Sequence, residues 1–205
     1  MGRAQVVGMG GISSGAVCAY RDRSGMASMP IGFVAPWEMK GFGSGALEEL
    51  VGRAQRHAAN GMGQVFRILR VKGDGRCLFR SIAKNLALFG GRSLPERLEK
   101  QDADALREAA FQVICVDKRE EFRKKGIIEG DIANYCTRMR NPDFYGGEPE
   151  MFVLAEVLQT PIGVYLQISH NKFQKLVMYG AQFAKKTKDE IRVLYNGTNH
   201  YDALI

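Results

Sequence analysis

The segment VFRILRVKGDGRCLFRSIAKNLALFGG, Val65 to Gly91, constrains the fold more than any other part of the 205-residue chain. From Val65 to Val71 apolar and basic side chains alternate closely enough for a strand, and Gly73 and Gly75 then break it. At Cys77 an apolar pattern begins in which Leu78, Ile82 and Leu86 fall on one helical stripe and Phe79 and Ala83 on the adjoining one. Gly90 and Gly91 end it. A strand, a glycine-broken turn and an apolar helix follow one another, and Cys77 sits at the helix N-terminus.

Downstream, helical spacing of Leu98, Leu106, Ala109, Val113 and Val116 predicts a long helical region over roughly Pro95 to Lys125, broken somewhere inside. EGDIANYCTRMR predicts a short helix with Asp131 as N-cap, and Pro142 lies just beyond its end. YGGEPEMFVLAEVLQ turns at Gly146-Gly147 and continues as a helix to about Leu158. Four strand patterns close the chain: PIGVYLQI, FQKLVMY, EIRVLYN and HYDALI. Helices come first and strands gather late, which suits an α+β domain with a small sheet flanked by helices.

One domain, residues 46–205, accounts for these elements, including a helix expected over LEELVGRAQRHAA, Leu47 to Ala59. Residues 1–45 form a Gly/Ala/Ser-rich flexible leader, read either as an organelle transit peptide or as a disordered tail. The net charge of +7 would suit nucleic acid, an anionic membrane or an acidic protein. The basic residues are scattered, however, and the densest run, KREEFRKK from Lys118 to Lys125, reads as a solvated helix face rather than a phosphate clamp. No stretch reaches the roughly 20 apolar residues of a membrane span. The expectation is a soluble cytoplasmic protein, or a plastid or other organellar one if the leader is a transit peptide. Four cysteines, at positions 18, 77, 115 and 136, show neither a Cys-x-x-Cys pair nor close His and Cys spacing. That pattern predicts no disulfide framework, no structural metal and a reducing compartment.

A cysteine attacks as its thiolate, and a helix N-terminus lowers the thiol pKa through unpaired N–H groups and the helix dipole. Glycines at 73 and 75 permit a turn that aims successive N–H groups at a developing oxyanion. The nucleophile needs a base, and the chain has only His57, His170 and His200. His57 belongs to a surface helix and His170 to the polar turn SHNK. His200 stands where a loop feeds the last strand, with Asp202 two residues on and so on the same strand face. That carboxylate can orient the ring, and Asp74 can help through the cysteine loop. Each residue alone has a plainer reading: Cys77 as a core thiol, like Cys115 and Cys136, His200 as a surface imidazole, Asp202 as a turn residue. GDGRC also imitates a phosphate loop but lacks the Gly-Lys-Ser/Thr ending.

GDGRCLFRS together with the terminal NHYDAL closely resembles the ovarian-tumour (OTU) family of cysteine proteases, which remove ubiquitin from proteins. The likeness extends from about Ile68 to Ile205 and includes GGEPEMFVLAEVLQTPIGVY, while IEGD, GGEPE and IRVLY are similar to plant members. The resemblance implies a papain-like fold with a mainly antiparallel sheet. It implies Cys77 as nucleophile, His200 as general base and later acid, and Asp74 as the aspartate the family places three residues before its cysteine. Asp202 stands where many members carry Asn or Asp, so it shares or takes over support of the histidine. The backbone amides of Gly75, Arg76 and Cys77 would form the oxyanion hole. Tyr145 replaces the Trp many relatives carry before the double glycine. Neither metal nor organic cofactor is implied, and the partners would be ubiquitin, polyubiquitin chains and ubiquitinated proteins, met by a monomer. Two other readings stand beside this one: a catalytically silent ubiquitin-binding module, and a basic nucleic-acid-binding protein.

Overall fold

The computed structural model describes residues 66–205. The leader, the domain boundary near residue 46, the helix expected over 47–59, His57 and Cys18 lie outside the described residues.

The first strand, β1 (Ile68–Leu69), is shorter than its alternation predicts and occupies a sheet edge. It ends because the next inward N–H, that of Val71, is taken by the Asp202 side chain at 2.9 Å instead of by a neighbouring strand. After the glycine-broken turn comes helix α1 (Cys77–Phe89). Its apolar stripes bury Cys77, Leu78, Phe79, Ile82 and Ala83, and three polar residues are buried with them: Arg80, Ser81 and Asn85. Ser81 and Asn85 are paired with the sheet, as a buried polar atom must be. Ser81 Oγ lies 3.1 Å from the Tyr201 carbonyl, and the Asn85 carboxamide donates to the Arg192 carbonyl (3.0 Å) and accepts its N–H (3.2 Å).

The long helical region breaks as expected, into α2 (Glu96–Phe111), a wide π turn (Gln112–Asp117) and α3 (Arg119–Lys125). The KREEFRKK segment is a solvated face, laced by Glu120–Arg123 and Glu121–Lys125 ion pairs. Helix α4 (Ile132–Met139) is capped by Asp131, whose carboxylate accepts the Ala133 and Asn134 N–H groups. Helix α5 (Glu148–Leu158) follows. The remaining strands, β2 (Ile162–Ser169), β3 (Lys172–Tyr179), β4 (Ile191–Tyr195) and β5 (Tyr201–Leu204), complete a five-stranded sheet of order β1-β5-β4-β2-β3. All pairings are antiparallel except β2 with β4. The architecture is therefore the α+β arrangement that the element order predicts, with the mainly antiparallel sheet that the resemblance implies. β5 lies between β1 and β4, so the residues at its start are held from both sides.

One expectation fails. Cys115 and Cys136 are joined by a disulfide across Cα atoms 5.7 Å apart, and Cys77 is the free cysteine among the described residues. Their separation of 21 residues matches no short pairing signature, because the contact is made by the π turn lying against α4. A cross-link closing a loop of that size contributes about 3 kcal/mol by restricting the unfolded chain. Urea unfolding with and without reductant should therefore differ by that amount; coincident midpoints would show the bond contributes nothing.

Candidate active site

Strand β5 delivers one half of the site. Ahead of it the loop folds around the Asn196 side chain, whose Oδ1 accepts the N–H groups of Thr198, Asn199 and His200 at 2.9–3.0 Å. This fixes His200 at the strand entrance, and the two-residue period of the strand puts Asp202 beneath its ring. His200 Nε2 lies 3.2 Å from Asp202 Oδ1. The carboxylate, 3% exposed as a residue, also accepts the Val71 N–H at 2.9 Å and Arg70 Nη1 at 2.6 Å. The carboxylate accepts, so the neutral ring carries its proton on Nε2 and leaves Nδ1 as the basic nitrogen. Nδ1 lies 3.9 Å from where a Cβ on Gly73 would stand, so the imidazole sits against the cysteine loop.

The other half is the start of α1. The Cys77 sulfur lies within reach of the Tyr201 N–H, the residue next to His200. Ser81 Oγ, placed between the Cys77 and Tyr201 carbonyls at 2.8 and 3.1 Å, stitches the helix to the strand. The fold therefore gathers Cys77, His200 and Asp202 around the first residues of β5. His170 lies in the β2–β3 turn, away from this stitching.

Asp74 goes elsewhere. Its carboxylate pairs with Arg80 through both oxygens (3.2 and 2.9 Å) and accepts the Arg76 N–H at 2.9 Å. Burial pushes its pKa up, but the Arg80 guanidinium and the Arg76 N–H outweigh burial and hold it below the usual value. Arg80 reaches on to Glu99 of α2 (3.0 Å), which also pairs with Lys84. Asp74 thus anchors the cysteine loop to two helices, and Asp202 is the acid the structure puts on the imidazole.

Two further expectations need correcting. The thiol pKa is raised, not lowered: burial to 1% exposure pushes it above the ordinary 9.0, and the nearby Asp74 charge adds to this against the opposing Tyr201 and Leu78 N–H groups. The resting sulfur is therefore a thiol rather than a thiolate. Of the three amides expected for the oxyanion hole, the Arg76 N–H is committed to Asp74 Oδ1 and the Cys77 N–H to the Asp74 carbonyl at 3.0 Å. Only the Gly75 N–H makes no hydrogen bond among the described residues. Tyr145, at 52% exposure, lies on the surface. Sequence reasoning missed Arg70, Asn196 and Arg80, whose partners are remote or backbone groups that no local pattern marks. Among the described residues no His, Cys, Asp and Glu side chains cluster to hold a metal.

A helix-borne thiol packed on a strand that presents an imidazole and a carboxylate is the plan of papain-like cysteine hydrolases. Residues 72–202 match the family described as OTU-like cysteine protease. The chain belongs to that family. It is 38% identical over 154 residues to the Arabidopsis thaliana protein named OVARIAN TUMOR DOMAIN-containing deubiquitinating enzyme 3, covering 66% of each chain. It is 39% identical over 142 residues to deubiquitinating enzyme 4 of that series, covering 68% of this chain and 43% of that protein. The match thus spans just under two thirds of one relative and less than half of the other. The fold is similar to the viral OTU domain protease from Taggert virus (TM-score 0.53, 18% identity, 68% of this chain and 79% of that one). It is also similar to the Hazara virus OTU bound to ubiquitin (TM-score 0.50, 21% identity, 69% and 81%).

Because burial holds Cys77 neutral, its alkylation by iodoacetamide, followed by mass spectrometry of the peptide carrying it, should rise with pH through a midpoint above 9. Full reactivity already at pH 7 would show a thiolate at rest and contradict the assignment.

Proposed function

We propose that the chain is a deubiquitinating cysteine protease, hydrolysing the isopeptide bond after ubiquitin's C-terminal Gly-Gly. The observation that carries this reading is the contact of the Cys77 sulfur with the Tyr201 N–H, beside an imidazole whose Nε2 is held by Asp202. The names of the two Arabidopsis relatives and the ubiquitin bound to the Hazara virus OTU support the choice of substrate.

Chemistry then follows from the site. His200 Nδ1 takes the Cys77 proton as the sulfur attacks the carbonyl carbon of the terminal glycine. The resulting imidazolium is stabilised by Asp202 through Nε2–H. On collapse of the tetrahedral intermediate the C–N bond breaks, and the proton passes from Nδ1 to the departing lysine amine. Water, deprotonated by His200, then cleaves the thioester and releases ubiquitin's carboxylate. The Gly75 N–H is the amide available to the oxyanion. Asp74 acts by holding that loop. Polyubiquitin chains and ubiquitinated proteins are the proposed substrates, met by a monomer in the cytoplasm or an organelle.

A ubiquitin probe with an electrophile at its C-terminus should form an adduct on Cys77 that Cys77→Ala abolishes. His200→Ala should lower turnover by about 10³-fold and Asp202→Ala by about 10²-fold, within the range general-base positioning commands. Ubiquitin bound without an adduct would make the chain a silent binding module and end the enzyme reading.

A further inference from the structure

The cysteine loop is held by a residue outside the reacting set. Arg107, on α2, is 7% exposed, and its guanidinium serves four main-chain carbonyls from two loops. Nη2 donates to the Gly75 carbonyl at 2.7 Å and to that of Phe144 at 3.2 Å. Nη1 donates to the Asn141 carbonyl at 3.0 Å, and both nitrogens reach the Pro142 carbonyl at 3.3 Å. The Phe79 ring, two residues beyond Cys77, lies 5.2 Å beneath the guanidinium carbon. No carboxylate bonds Arg107 among the described residues: its two Nη groups go to neutral oxygens, and its buried Nε has no hydrogen-bond partner. Such burial costs more than an apolar side chain would, and it needs a geometric return.

That return is the direction of one peptide plane. In a trans peptide the carbonyl and the following N–H point opposite ways. With the Gly75 carbonyl drawn to Arg107, the Arg76 N–H is turned away from Arg107, and it is found on Asp74. The packing leaves no room for side chains there: a Cβ at Gly75 would lie 2.5 Å from the Pro142 oxygen, and one at Gly146 would lie 2.9 Å from Phe79 Cζ on α1. Only a planar fork with several donors can bridge carbonyls from both loops at once.

We propose that Arg107 is a positioning residue for the hydrolase, fixing the peptide planes of the cysteine loop against the 141–144 loop. The proposal rests on the hydrolase reading for its catalytic consequence, though not for the clamp itself. The carbonyl Arg107 holds belongs to Gly75, the residue whose own N–H faces the oxyanion on that reading. Releasing it disorders a donor that acts on the transition state and not on ubiquitin binding, so the loss falls on kcat and spares KM.

The test uses the full chain carrying Arg107→Lys or Arg107→Met, each checked for folding by circular dichroism. Hydrogen exchange in peptides covering 73–77 and 141–147 should quicken at least tenfold in both variants, with peptides of β4 and β5 unchanged. On a ubiquitin C-terminal fluorogenic substrate, kcat should fall about 10²-fold in Arg107→Met, the scale of losing an oriented donor, with KM within about twofold. Arg107→Lys, which keeps a charge but not the fork, should fall between. Unchanged exchange in the two loops overturns the clamp, and a loss carried by KM overturns its catalytic role. If the unsubstituted chain shows no turnover, the hydrolase reading fails and exchange alone decides the clamp. If neither variant folds, Arg107 is a folding residue and the proposal falls.

Discussion

The Asp202 carboxylate is where the edge strand, the central strand and the imidazole are made to agree. A carboxylate so nearly excluded from water is tolerable only when its lone pairs are filled, and here three donors from different places fill them. The Val71 N–H ends β1 by turning to it, so the strand boundary and the orientation of His200 are set by one group. Arg70, reaching in from a solvated position, supplies charge while the N–H supplies direction. Without that convergence β5 would still pair with its neighbours, but the ring at its entrance would have no preferred tautomer.

Burial and reactivity pull against each other at Cys77. The same packing that seats Leu78, Phe79 and Ile82 in the core removes water from the sulfur, and desolvation outweighs the helix N-terminus. A neutral resting thiol is protected from adventitious oxidation, since the thiolate is the oxidisable form. On the proposed mechanism it also makes the imidazole indispensable for attack, whereas a free thiolate would react without one. Asp74 sharpens this tension: its charge, kept on by Arg80, disfavours a second negative charge nearby.

What the sequence revealed follows the range of the interactions. The His200–Asp202 pairing was legible because it depends on strand period alone, and the Asp131 cap because it depends on a stretch of four residues, 131–134. The start of α1 was legible from its stripes. The disulfide was not, since a π turn and a separate helix make it, nor was the use of the Arg76 and Cys77 amides by Asp74, which needs the turn's actual dihedrals. The thiol pKa was misjudged for a related reason: the helix N-terminus is visible in sequence, whereas the depth at which it is buried is a property of the whole domain.

The two halves of the site therefore differ in how they are built. The strand half is assembled from neighbours in sequence, Asn196 through Asp202, and is held from outside by Arg70, Val71 and Ser81. The loop half has two glycines and one short turn of its own, and it takes its shape from charges on helices: Arg80 with Glu99 on one side, Arg107 on the other. A glycine-broken turn has too little side chain to hold itself, so the rigidity that oxyanion stabilisation requires must be imported. That division explains why buried cations crowd behind a loop whose own sequence carries a single acid, and why α2, which contributes no reacting group, is packed so firmly against α1.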